Sequence, residues 1–168
     1  MKVGLLGGSF NPPHHGHIHI SNLAIKKLGL NQVWWIPTAH NPLKEKSIYA
    51  PYKVRFEKCE ALTKTQTKIY IKKYDEVYTE KLVKHLQEKY KNIDFFWITG
   101  ADNLENFHKW EGYEKILRMI PLAIFSREAF LKTLKKTKSW KLIAQSKSKI
   151  FHTKNLNISS TAIRKSHA

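Results

Sequence analysis

The segment Gly-Gly-Ser-Phe-Asn-Pro-Pro-His-His-Gly-His, residues 7–17, joins a short apolar run (residues 3–6) directly to an amphipathic run that begins at Ile18. A strand that ends in a glycine-bearing loop and passes at once into a helix is the layout of an anion site in an α/β sheet. Glycines let a phosphate approach the backbone, and the helix start offers unpaired N–H groups. His14 and His17 are three residues apart. A helix that begins near His14 or His15 puts both rings on one face of its first turn. Such a loop suits nucleotide phosphate chemistry better than plain dinucleotide binding. The loop lacks GxGxxG, and GxxxxGK[ST] occurs nowhere in the chain, which argues against an ordinary dinucleotide fold and a P-loop enzyme. The cluster His14, His15, His17, His19 has the look of a metal site, but no Cys, Asp or Glu sits within it. No metal site is expected there, and His15 and His19 read as bystanders.

Beyond the loop, strands and helices alternate. Residues 2–6, 32–36, 67–72, 93–98 and 121–125 read as strands, with a further one at 149–152. The run at 93–98 is nearly continuous in apolar residues, as in a strand buried on both faces. Residues 18–28 and 78–90 carry helical periodicity, and Pro51 suits a helix's first turn ahead of Tyr52, Phe56 and Cys59. Shorter helices are expected around 103–107, at 113–119 and at 128–134, and the Lys/Ser-rich stretch 135–149 is the least legible. This alternation predicts an α/β fold: a Rossmann-like, doubly wound, mostly parallel sheet flanked by helices, forming one domain over residues 1–168. Ligands in such sheets bind beyond the carboxyl ends of the strands. The loops at 7–17, 37–44, 100–110 and 126–127 should therefore converge.

The net charge is +17, with 30 Lys and Arg against 13 Asp and Glu. A basic nucleic-acid-binding module is one reading of that number. Only Arg55, Arg118, Arg127 and Arg164 are arginines, however, and the lysines are scattered. A solvated surface that also attracts polyanionic substrates fits better. The single cysteine, Cys59, lies on an apolar helical face and reads as core. The absence of a cysteine pair and of a signal-peptide pattern points to a cytoplasmic location. No apolar run is long enough to span a membrane. A homo-oligomer is left open.

Near the other end, Ile-Ser-Ser-Thr-Ala-Ile-Arg (residues 158–164) opens a helix with three successive hydroxyls and an arginine. Ser159, Ser160 and Thr161 exceed what a helix cap requires. Together with Arg164, whose guanidinium suits forked contact to phosphate, they form a second anion-binding element. Asp102, soon after the buried strand, is placed to accept hydrogen bonds from a ribose. Trp110 is as suited to the core as to a ligand, and its position after Gly100 and Asp102 favours stacking.

These residues resemble a known family. The 7–17 loop is similar to the signature of the HxGH nucleotidylyltransferases, and residues 158–164 resemble that superfamily's ISSTxxR motif. The stretches 35–44, Tyr78-Thr79, Gly100-Ala-Asp-Asn-Leu and Lys109-Trp110 resemble the bacterial nicotinate-nucleotide adenylyltransferases within it. The chain has Asn11 where that family usually has Asp, Leu43 where it favours His, and Val77 where it favours Ser. The resemblance implies transfer of AMP from ATP to nicotinate mononucleotide, giving nicotinate adenine dinucleotide and pyrophosphate by direct attack, with Mg²⁺ carried on ATP. It implies catalytic roles for His14, His17 and Arg164. ATP contacts would come from Gly8, Ser9, Phe10, His14, His17, Gly100, Asp102, Arg127, Ser159, Ser160, Thr161 and Arg164. Lys44, Thr79, Lys109 and Trp110 would receive the mononucleotide. Phosphopantetheine adenylyltransferase, of the same superfamily, is the nearest alternative.

Overall fold

The computed structural model describes residues 1–39, 49–126, 128–153, 160, 163 and 164. Its centre is a six-stranded sheet built from β1 (Lys2–Gly8), β2 (Gln32–Pro37), β3 (Ile69–Ile71), β4 (Asp94–Gly100), β5 (Leu122–Ser126) and β6 (Lys149–His152). The spatial order is β3-β2-β1-β4-β5-β6 and every neighbouring pair is parallel. The chain runs outward one way from β1, then returns to start again at β4. The switch point therefore lies between β1 and β4, where α/β sheets open a crevice at the carboxyl ends of their strands. The expected mostly parallel, doubly wound sheet is the one observed.

Six α-helices are described: α1 (His15–Leu28), α2 (Tyr52–Thr63), α3 (Thr79–Lys89), α4 (Tyr113–Met119), α5 (Glu128–Leu134) and α6 (Trp140–Gln145). They cover both faces, because strand residues alternate between two apolar layers. Val3, Leu5, Trp34, Ile36, Phe95, Trp97, Leu122 and Ile124 join Leu82, Val83 and Leu86 of α3 and Ile116 of α4. On the other face Leu6, Val33, Trp35, Ile98, Ala123 and Phe125 pack with Ala24 of α1 and Cys59 of α2. Trp34 and Trp35 are both buried, one in each layer. Cys59 is fully buried, and burial pushes its thiol pKa up to about 12, as an inert core residue requires.

Several bounds differ from the sequence reading for local reasons. Helix α1 begins at His15, ahead of its apolar stripe, because His14 caps it. Pro51 precedes α2 as its cap residue and is not part of its first turn. The stretch expected to be helical at 103–107 is two short 3₁₀ turns, Ala101–Leu104 and Phe107–Lys109. Helix α6, in the least legible stretch, buries Ile143. No helix among the described residues is long and apolar enough to cross a membrane.

The last turn of β1 depends on a missing side chain. A Cβ built on Gly7 would lie 2.5 Å from Cη2 of Trp97 on neighbouring β4, so the indole occupies the space a side chain would need. Gly7→Ala should lower the free energy of unfolding by about 1–3 kcal/mol, the usual cost of overpacking. Urea titration measures this. An unchanged midpoint would show that the indole moves aside freely.

Candidate active site

Of the described residues singled out by sequence, Gly8, Ser9, Phe10, His14 and His17 lie at or after the carboxyl end of β1, and Gly100 and Asp102 at or after that of neighbouring β4. His14 is the cap of α1 with an extended backbone (φ −152°, ψ 168°). Its Nδ1 accepts a hydrogen bond from Gly16 N–H at 3.1 Å, and His17 Nδ1 accepts from His14 N–H at 3.1 Å. This is a reciprocal capping box in which two imidazoles take the parts usually played by Ser or Thr and Glu. The rings stand 3.9 Å apart between centroids, on one face of the first turn as the spacing predicts. Because both Nδ1 atoms accept from amides, the neutral rings are assigned their protons on Nε2. Each ring then holds its remaining donor away from the helix start.

Desolvation disfavours the charged form of both rings. Loss of solvent, with the charge of His15 adding to it, lowers the His14 pKa to about 4. Burial first, and the neighbouring His14 second, lowers that of His17 to about 3. The floor under His17 is aromatic: Phe10 lies 4.8 Å away and Trp35 5.7 Å, and those two rings stack at 5.0 Å. Trp35 Nε1 donates to Ser21 Oγ at 2.9 Å, and Ser21 Oγ donates to the His17 carbonyl at 2.8 Å. Strand β2 is thereby tied to the first turn of α1. Phe10 pays for its place with a left-handed backbone (φ 46°), which is unusual for a bulky residue and persists only where the surroundings hold it.

The second signature meets the first. Ser160 Oγ donates to the Pro12 carbonyl at 2.9 Å, and Arg164 Nη1 donates to the Asn11 carbonyl. Residues 148 and 153 positions apart in sequence thus close on one loop. Asn11 is buried and its Oδ1 accepts from Ala50 N–H at 3.1 Å, so an amide serves here as a backbone anchor. Gly8 ends β1, and its carbonyl accepts from Thr38 N–H at 2.9 Å, joining the loops after β1 and β2.

At the end of β4, the exposed Asp102 folds its carboxylate back over Gly100. Trp110 is half-buried, edge-on to Phe107 at 5.3 Å and to Trp97 at 6.4 Å. The ring is therefore anchored on the core while part of it stays accessible. Gly112 (φ +66°) packs on Glu80, 3.1 Å from its built Cβ to the Glu80 Cβ, and so brings the loop after Trp110 against the first turn of α3, which Thr79 begins. Lys109 is exposed beside Trp110. Lys44, Arg127, Ser159 and Thr161 lie outside the described residues. Among the described residues, no three His, Cys, Asp or Glu side chains cluster as metal ligands.

The sequence reading passed over Arg55. It is 1% exposed, and its guanidinium donates to four carbonyls: Nε to Ala50, Nη1 to Ser9 and Thr38, and Nη2 to Ala39. Burying a charge costs several kcal/mol. Hydrogen bonds from a charged donor each return about 1.5–3 kcal/mol, so four of them decide the balance in favour of burial. The available signal was a cation at position 55 on the apolar face of Tyr52, Phe56 and Cys59.

The family model described as cytidylyltransferase-like matches residues 5–166. The chain belongs to the cytidylyltransferase-like family. Within this family it is similar to a probable nicotinate-nucleotide adenylyltransferase of Rhizobium etli, with 39% identity over 131 residues that cover 76% of this chain and 68% of the relative. It is also 37% identical over 137 residues to the protein of that name in Methylorubrum extorquens, covering 79% of this chain and 74% of the relative. Among solved structures, the fold matches Plasmodium falciparum nicotinic acid mononucleotide adenylyltransferase complexed with NaAD. The TM-score is 0.79 at 20% identity, over 98% of this chain and 82% of that one. This family member is thus a nucleotidyltransferase on the nicotinate-nucleotide adenylyltransferase side, and it shares the fold of that solved structure.

The depressed imidazole pKa values carry a stability consequence. Between about pH 6.5 and 3 the unfolded chain binds protons at positions 14 and 17 that the folded chain excludes. Their contribution is fully present above pH 6.5 and is lost as the pH falls towards the folded values. The melting temperature should drop on acidification from pH 7 to 4, and less steeply in the variant with both His14→Asn and His17→Asn. Parallel curves for the two proteins would assign the acid sensitivity to other groups.

Proposed function

We propose that the chain transfers AMP from ATP to nicotinate mononucleotide, releasing pyrophosphate and forming nicotinate adenine dinucleotide. The observation that carries this reading is the reciprocal His14–His17 box, onto whose loop Ser160 and Arg164 also close. Two directed neutral donors and one guanidinium around a single loop suit a triphosphate. They offer no nucleophile, since the rings' Nδ1 atoms are already engaged. The acceptor's phosphate oxygen then attacks the α-phosphorus of ATP directly, its bond forming as the bond to the β-phosphate oxygen breaks. Catalysis comes from positioning and charge stabilisation.

In this mechanism the Nε2–H groups of His14 and His17 donate to phosphate oxygens, with His17 nearest the α-phosphate. Arg164, Ser159, Ser160 and Thr161 hold the leaving pyrophosphate, and Gly8, Ser9 and Phe10 supply backbone amides. Gly100, Asp102 and Arg127 bind the adenosine. Lys44, Thr79, Lys109 and Trp110 receive the mononucleotide, with the Trp110 ring stacked on nicotinate. The divalent ion that accompanies ATP in nucleotidyl transfer, Mg²⁺ in our reading, enters as part of the substrate. The relatives' names favour the nicotinate acceptor over phosphopantetheine. We further propose that residues 1–168 act as one domain and that the protein works in the cytoplasm.

A coupled pyrophosphate assay with nicotinate mononucleotide, nicotinamide mononucleotide and phosphopantetheine tests the acceptor. Turnover is expected with the first, and turnover with phosphopantetheine alone would refute the assignment. His17→Ala should lower kcat by roughly a hundredfold or more, the scale of losing one donor to a developing charge. A near-normal rate would remove that ring from the reacting phosphate. Trp110→Ala should chiefly raise KM for the mononucleotide, whereas a variant that does not fold would assign the ring to the core alone.

A further inference from the structure

We propose that Arg55 is a positioning residue for ATP, a buried cation that aims the loops after β1 and β2 at the triphosphate and lends them its charge. This rests on the reading above only in that these loops receive ATP; it does not depend on which acceptor is used. Arg55 is on α2 and reaches no solvent to speak of, at 1% exposure. Its three nitrogens are spent on the carbonyls of Ser9, Thr38, Ala39 and Ala50, so one planar fork bridges the chain just after β1 and just after β2. The rings of Tyr49 and Tyr52 each stand 5.5 Å from its Cζ and hold it in place.

Two physical consequences follow from this arrangement. In a trans peptide the C=O and the next N–H point in opposite directions. With the Ser9 carbonyl turned in towards Arg55, the Phe10 N–H is turned away from it, and with the Thr38 carbonyl turned in, so is the Ala39 N–H. The guanidinium thus draws in the groups that would repel an anion and presents those that attract one. The second consequence is electrostatic. Among the described residues no carboxylate pairs with Arg55; its polar partners are neutral carbonyls. A buried positive charge without a counterion leaves its field uncancelled under the loop, where low polarisability keeps it strong. A lysine keeps the charge but cannot bridge four carbonyls from a planar fork. Methionine keeps the bulk and loses both.

The test compares Arg55→Lys and Arg55→Met with the unaltered enzyme. Calorimetry with a non-hydrolysable ATP analogue gives ATP affinity independently of turnover, and thermal melts report folding. Steady-state kinetics separate kcat from the KM of each substrate. Arg55→Lys should fold, bind the analogue about tenfold more weakly and turn over more slowly. Arg55→Met should lose about a hundredfold in kcat/KM for ATP, the scale of a sub-ångström to ångström misplacement. Acceptor KM should move less than about twofold in both, on the scale of contacts left untouched. Millimolar methylguanidinium should restore part of the ATP affinity of Arg55→Ala. A folded Arg55→Met variant with unaltered analogue affinity and kcat overturns the proposal. So does loss of the folded state in all three variants, or an equal rise in both KM values, since either assigns Arg55 to general stability.

Discussion

The helix that starts at His15 is held at its beginning by two imidazoles, and the rest of the site is arranged around that fact. In the usual capping box the residue that reaches back is a carboxylate or amide, and a carboxylate there would repel a ligand of negative charge. Here each ring uses one nitrogen for the backbone and keeps the other as a donor. Local structure and ligand chemistry are therefore carried by the same two side chains. The rings are aligned because the helix is capped, and the helix is capped because the rings are aligned. Phe10 and Trp35 below them exclude water, and the buried hydrogen bond between Trp35 and Ser21 fixes the helix against β2.

Arg55 performs the corresponding task one layer deeper. Ser9, Thr38 and Ala39 lie just beyond the ends of β1 and β2, where the sheet no longer pairs their carbonyls. A single guanidinium collects their carbonyls, and Thr38 adds a direct tie to Gly8. The C-terminal segment joins through Ser160 and Arg164 on the Asn11 and Pro12 carbonyls. The first loop and the strand end before it are thus contacted from α2, from the residue that follows β2 and from the C-terminal segment. A turn that is irregular in sequence becomes well determined by elements that are not its neighbours.

Much of this was legible in the residues. Strands buried on both faces advertise themselves as apolar runs, so β1, β2, β4 and β5 are where residues 2–6, 32–36, 93–98 and 121–125 suggest. The six-residue alternation at 67–72 is a three-residue strand because it lies at the sheet's edge, paired on one side only, with Tyr70 42% exposed. Helix α6 was illegible because six residues in a lysine-rich stretch cannot display a helical period; its face is set by buried Ile143, with Trp140 and Leu142 packed beside it on the core. The His14–His17 spacing showed that the rings share a face, but histidine is not a usual cap, and its two-way bonding exists only once the turn is closed. Arg55 was hidden for a different reason. A lone cation on an apolar face reads as the edge of a helix until carbonyls from three separate stretches of chain are brought to it.

The neutrality of the two rings also bears on turnover. A reaction that splits a triphosphate at its α-phosphorus must let go of pyrophosphate, the more densely charged of its two products. Protonated rings would grip pyrophosphate through full charge, at every orientation, and slow its departure. Uncharged imidazoles hold an oxygen only while it lies along the N–H direction, so their grip lapses once the phosphate shifts. On the proposed function, burying the rings trades affinity for directionality, and so favours an enzyme that lets go.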